Sequence, residues 1–228
     1  MLAGSAFFYH PMKIKTLYFN PLRECCHILW SEPSRDCVIV DPGCYDRGEF
    51  SRLERFIDEE KLRPVRILLT HGHFDHIFGL AYARERWQVP VLMHPEDLFQ
   101  VQTAGMFAAA LELDFTPYTG GFDAIDEGDT VRFGDCSLSV LHTPGHTDGC
   151  VCFYNAEEKL LFSGDTLFQG SVGRTDHPKG NFQTLLQSID RLAQLPDDTA
   201  VYPGHGYPTT IGEEHRYNPF FPENRQRR

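Results

Sequence analysis

No apolar run in this chain approaches the roughly 18 residues expected of a membrane-spanning helix; stretches such as Met106 to Leu111 fall far short. Positive charge is scarce as well. Lys and Arg number 21 against 32 Asp and Glu, a formal net charge of -11, and no local basic stripe offsets it. Phosphate backbones and anionic lipid surfaces are therefore disfavoured, so neither nucleic acid nor a membrane is an expected partner. The start lacks the basic, apolar and small-residue layout of a secretory leader, which argues against export. Cysteines stand at 25, 26, 37, 44, 136, 150 and 152, an odd number without a zinc-like CxxC pair. Most lie in apolar runs, where cysteine behaves as a small buried hydrophobe, and the simple expectation is reduced thiols in cytoplasm.

What remains is the composition of an ordinary folded protein, 41% hydrophobic and 23% charged over 228 residues, long enough for one large domain. Lys13–Phe19 opens a better strand than Met1 does, so residues 1–11 are set aside as a leader or alternative start. The domain is expected over 12–228, with no separate helical domain at the C-terminus. Runs rich in β-formers at 13–19, 25–30 and 37–40, separated by turn residues, predict an antiparallel meander. Apolar residues at 50, 53, 56 and 57 have helical spacing, and strands follow at 66–69 and 89–93. A helical stretch starting near Pro95 contains 104–113, and strands are predicted at 130–133, 137–141, 151–154 and 159–162. A helix from the N-cap Asn181 to Leu195 precedes a short strand at 200–202 and a Pro- and Gly-punctuated tail. The pattern reads as one α/β domain of mixed sheets covered by helices.

Four loops carry the chemistry, each following an apolar strand-like run: His71-Gly72-His73-Phe74-Asp75-His76, then His146, Asp165 and His205. Ligands at the carboxyl ends of several strands can meet at one edge of a sheet whatever their distance in sequence. His71 and His73, two apart, can present imidazoles to a common ion. Asp75 and His76 are adjacent, so their joint service to a second ion requires a turn, as at the entry to a helix. Three histidines and an aspartate within six residues repel or compete unless something binds them. Neutral imidazole and carboxylate suit zinc, iron(II) or manganese, and seven ligands suit two ions. His10, His27, His94, His142, His177 and His215 are read as structural.

The motifs Thr70-His71-Gly72-His73-Phe74-Asp75-His76, Thr143-Pro144-Gly145-His146-Thr147, Ser163-Gly164-Asp165-Thr166 and Tyr202-Pro203-Gly204-His205-Gly206, in that order, resemble the metallo-β-lactamase fold superfamily over residues 37 to about 221. The resemblance implies an αββα sandwich of the metallo-β-lactamase type, two mixed β-sheets flanked by helices, with a dinuclear centre along its edge. It places His71, His73 and His146 on one ion and Asp75, His76 and His205 on the other, with Asp165 bridging them. Two divalent ions per chain are implied, zinc first, with iron or manganese as alternatives. An aspartate at the bridging position resembles the glyoxalase II-like thioester hydrolases, and the antibiotic-hydrolysing branch usually lacks it. The stretch Gly170 to Asp176 and the late Asn218-Pro219-Phe220 strengthen the likeness to hydroxyacylglutathione hydrolases and their short bacterial relatives. Arg174 falls where that family carries a basic residue facing the thiol substrate; its plainer alternative is a surface pair with Asp176. Only 23 residues follow His205, so the helical domain that completes the glutathione pocket in full-length glyoxalase II is expected to be absent or reduced to a stub.

The expected activity is hydrolysis of a small thiol-derived substrate, a thioester such as S-lactoylglutathione, by a hydroxide bridging the two ions, with Asp75 as ligand and orienting carboxylate. The chief rival is an iron-dependent persulfide dioxygenase with a similar Gly-Arg-Thr-Asp stretch. A phosphodiesterase and a non-catalytic metal-binding module are lesser alternatives.

Overall fold

The computed structural model describes residues 11–225; the proposed leader, with His10, falls almost entirely outside them. The expected meander is present as β1 (Lys13–Phe19), β2 (Glu24–Trp30) and β3 (Asp36–Val40), all antiparallel. Helix α1 (Arg47–Glu59), capped by the Asp46 carboxylate on the Glu49 amide, crosses to β4 (Arg63–Leu68), which pairs parallel with β3. Two short helices, α2 (Phe74–Ile77) and α3 (Leu80–Trp87), lead to β5 (Val91–Met93). A 3₁₀ turn at Pro95–Asp97 and helix α4 (Leu98–Ala110) then reach β6 (Asp123–Ala124), and β4, β5 and β6 run parallel.

The second sheet begins with β7 (Thr130–Phe133), β8 (Cys136–His142), β9 (Val151–Asn155) and β10 (Leu160–Gly164), antiparallel throughout. A small hairpin, β11 (Leu167–Phe168) with β12 (Ser171–Val172), precedes α5 (Phe182–Leu192), which starts at the predicted Asn181 cap. Strand β13 (Ala200–Pro203) pairs parallel with β10, β14 (Thr209–Thr210) closes the edge, and α6 (Ile211–Tyr217) and α7 (Pro222–Arg225) follow. The first sheet has the order β1-β2-β3-β4-β5-β6 and the second β14-β13-β10-β9-β8-β7.

Alternation along the strands creates the layers. In β2, Cys26, Ile28 and Trp30 point toward α1, α3 and α4, where they pack with Leu53, Ile57, Leu80 and Ala104; Leu29 points the other way. Between the sheets Leu29, Val38, Val40, Leu68 and Leu92 meet Leu138, Val140, Phe153 and Phe162. Beyond the second sheet Cys152, Leu161 and Val201 pack on Leu185, Ile189 and Leu192 of α5 and on Phe221. Two sheets face to face with helices on both outer faces make the expected αββα sandwich, and strands covered on both sides explain why β2 is buried at every position. All seven cysteines are free and buried. No helix among the described residues is long and apolar enough to cross a membrane.

Some helices go beyond the expectation. The stretch between the strands at 66–69 and 89–93, where only a turn at the entry to a helix is expected, contains α3, whose buried residues are just Leu80 and Ala83, too weak a periodic signal to read. The tail contains α6, where Thr210 accepts from the Glu213 amide at 3.2 Å. That Thr-x-x-Glu start was a readable cap.

Candidate metal centre

The loop after β4, the N-terminal turn of α2, the β8–β9 loop and the ends of β10 and β13 converge on one edge of the sandwich. All seven expected ligands meet there. His71 Nε2 lies 3.1 Å from His73 Nδ1, which lies 2.9 Å from His146 Nε2. His205 Nε2 stands 3.1 Å from Asp75 Oδ2, and His76 Nε2 3.8 Å from the same oxygen. The required turn between Asp75 and His76 is α2 itself.

Asp165 lies between the two groups. Its Oδ1 is 3.4 Å from His76 Nε2, and its Oδ2 is 3.6 Å from His146 Nε2 and 3.8 Å from His205 Nε2. One carboxylate thus reaches both triads. Glycines give it room: a Cβ at Gly204 would overlap Asp165 Oδ1 and the His76 ring, and one at Gly173 would overlap the Asp165 carbonyl.

The surrounding hydrogen bonds fix which nitrogen faces inward in four of the five ligand rings. His146 Nδ1 donates to the Arg174 carbonyl at 2.8 Å, and His205 Nδ1 to the Leu22 carbonyl at 3.2 Å. His76 Nδ1 donates to Asp41 Oδ2 at 3.0 Å. Asp41 Oδ2 also accepts from Thr70 Oγ1 at 2.5 Å, which leaves that hydroxyl oxygen to accept from His71 Nδ1 at 3.1 Å. With Nδ1 protonated in all four rings, every Nε2 presents a lone pair to the centre. Several lone pairs about 3 Å apart in a buried pocket repel unless a cation lies among them. Consistent with that, His76 Nε2 and Asp165 Oδ1 are fully buried and have no hydrogen-bond partner. The donors fit divalent ions with nitrogen and oxygen preference.

The two groups differ electrostatically. Burial and the neighbouring rings hold the His71 and His73 imidazoles well below their ordinary range, and burial also lowers His146. Neutral rings are what a metal accepts. Burial opposes charge on His76 and His205 as well, but Asp165 and Asp75 outweigh it and raise both. Asp165 is held well below the usual carboxylate range, burial being overcome by His76 and His205.

Arg174 enters the site through its backbone. Its carbonyl anchors His146, while its guanidinium pairs with Asp176 at 2.7 and 3.1 Å and is mostly exposed. Sequence reasoning missed His177, whose ring lies 4.7 Å from that of His73 and 4.8 Å from that of His146. It also missed Asp97. This buried carboxylate accepts from the Gly72 amide at 2.6 Å and the Gly149 amide at 2.8 Å, clamping together two ligand-bearing loops. His177 was one of six lone histidines without sequence context, and Asp97 sits in an ordinary Pro-Glu-Asp turn. The proximity of His177 to Gly173-Arg174, already within a singled-out stretch, was its one usable signal.

Fold and ligand set together define a metal-binding hydrolase, and this chain belongs to the metallo-beta-lactamase superfamily, whose family model matches residues 26–205. Among curated relatives, the probable metallo-hydrolase YqgX of Bacillus subtilis is 38% identical, covering 92% of this chain and 97% of its own. The hydroxyacylglutathione hydrolase GloC of Haemophilus influenzae is 34% identical, with 92% and 98% covered. Among solved structures, TTHA1623 in a di-iron-bound form superposes with a TM-score of 0.82 at 40% identity, covering 91% of this chain and all of that one. The BLEG-1 B3 metallo-beta-lactamase gives 0.83 at 35%, covering 92% and 100%. ETHE1 from Myxococcus xanthus gives 0.75 at 31%, covering 91% and 83%.

Proposed function

We propose that the chain hydrolyses hydroxyacyl thioesters of the S-lactoylglutathione kind in the cytoplasm, using two divalent ions, zinc in the first instance and iron or manganese as alternatives. The observation that carries this reading is Asp165, whose two oxygens address both triads. His71, His73 and His146 would hold one ion and Asp75, His76 and His205 the other. When bound, the ions supply a water-derived nucleophile active near neutral pH and Lewis-acid polarisation of the acyl carbonyl.

The chain's own residues provide the remainder. Asp41, Thr70, and the Leu22 and Arg174 carbonyls fix four imidazoles before any substrate arrives. Asp75 is both ligand and orienting carboxylate for the attacking water. A thiol leaving group has a pKa of about 8.5, so its departure needs no strong general acid. Arg174, whose partner among the described residues is the exposed Asp176, can exchange that carboxylate for one on a glutathione-like substrate. The GloC relative supports this substrate class. The likeness to ETHE1, together with Gly173-Arg174-Thr175-Asp176, favours a second reading as an iron-dependent persulfide dioxygenase, which would need one ion only.

The test is metal content per chain, measured on protein purified without added metal, beside S-lactoylglutathione hydrolysis and oxygen uptake on glutathione persulfide. Two ions with thioester cleavage, both reduced in His73→Ala, are expected. A single iron with oxygen consumption, or bound metal without thioester turnover, overturns the reading.

A further inference from the structure

A second histidine–carboxylate group lies outside the seven ligands. His94 follows β5 in the first sheet, Asp126 follows β6, and His142 ends β8 in the second sheet. The two rings stack at 4.2 Å between centroids and 8° between planes, and His94 Nε2 lies 3.3 Å from Asp126 Oδ1. One ligand atom from each residue falls within 4.8 Å of the others. None of the three enters the reaction proposed above.

We infer that His94, Asp126 and His142 form a separate binding site for a single divalent transition metal, zinc being the probe of choice, which would link the strand ends of the two sheets. The lone pairs support it. His142 Nε2 donates to the Asp148 carbonyl at 2.8 Å, which leaves Nδ1 unprotonated and free to bind. His94 is buried, and burial together with His142 lowers its pKa, keeping a neutral ring. Its Nδ1 accepts a long 3.3 Å contact from the Glu96 amide, so Nε2 carries the proton toward Asp126. Binding through Nε2 moves that proton to Nδ1 and gives up the Glu96 contact; no proton leaves the ring. Tetrahedral zinc with bonds of about 2.0–2.2 Å sets its ligands about 3.4 Å apart, so the group must contract by roughly 1.4 Å at most. Asp126, with an exposed side chain on a turn, can supply part of that movement, and the stacked rings must turn out of parallel so that both in-plane lone pairs meet the ion. Glu127 and Asp129 add negative charge on the same turn, through bonds to the amides of His142 and Asp126. Among the described residues Arg191 faces this group as a cation; it donates to the His142 carbonyl and is already paired with Glu127 at 2.8 Å.

Untagged protein, already loaded at the first centre, is titrated with zinc chloride by calorimetry, and the unfolding midpoint is followed in parallel. Wild type is expected to take up one more zinc per chain than His142→Ala, with the midpoint rising on zinc addition in wild type alone. Asp126→Asn, at an exposed position that spares the fold, should weaken that uptake at least tenfold. Because the readout is a difference of one equivalent between chains, it stands whether the first centre holds one ion or two. Equal uptake by wild type and both variants overturns the inference, and leaves the stack as a hydrogen-bonded histidine pair. Unweakened uptake by Asp126→Asn overturns the three-ligand assignment.

Discussion

Replacing Asp97 by Asn should change the stability of this protein in a pH-dependent way. The Asp97 carboxyl is buried and, despite accepting from Gly72 and Gly149, is pushed by desolvation up to about 6 from an ordinary 3.8. A raised folded-state pKa means that the native state prefers the protonated acid. The associated stability is therefore fully present below pH 3.8 and is lost as pH rises through 6. Linkage puts the cost at about 2 kcal/mol at pH 5 and about 3 kcal/mol at pH 7. Asn keeps the shape without the titration. It also offers one oxygen where two amides donated, so one buried amide loses its acceptor at a pH-independent cost of about 1–3 kcal/mol. Urea unfolding of both proteins, stripped of metal, at pH 5 and pH 7 isolates the difference, because every other titrating group is common to both. Relative to wild type, the variant should gain about 1 kcal/mol between pH 5 and pH 7. A difference that stays constant within about 0.3 kcal/mol, or moves the other way, would refute the claim that charge burial dominates at Asp97.

The two remaining predictions concern the centre itself. Asp165→Asn removes the charge shared between the triads; metal content should fall toward one ion per chain, with metal affinity reduced by more than the 10–100-fold typical of residues one layer out. Full metal content by elemental analysis would contradict the bridging role. Gly204→Ala pushes a methyl into Asp165 and His76, an overpacking cost of about 1–3 kcal/mol. It should lower the unfolding midpoint by roughly 5 °C at the scale of a chain this size, and calorimetry showing no shift would mean the pocket is looser than described.

The fold was readable where one face of an element carried a strong pattern. The meander, α5 with its Asn181 cap, and the strand preceding each ligand loop all appear within a few residues of expectation. It was unreadable where the pattern was weak or short, as in α3 with two buried residues, or in two-residue strands such as β6 and β14 that exist only through their partners. The same division runs through the site. Clustered ligands announce themselves, since His71 to His76 have few other uses. Asp41, Asp97 and His177 are defined by what they touch across the fold, at separations of 35 residues for Asp41 to His76 and 31 for His177 to His146, and no local spacing records such contacts.

The ligands span residues 71 to 205, and the last of them is held by a backbone bridge to Glu24, near the beginning of the described chain. During translation, then, a growing polypeptide owns most of the donor groups long before it can arrange them. Only after the β13 segment emerges from the ribosome and docks beside the earliest strands does a complete ligand shell exist. Cation binding by the full ligand set would thus require both ends of the sandwich to be in place.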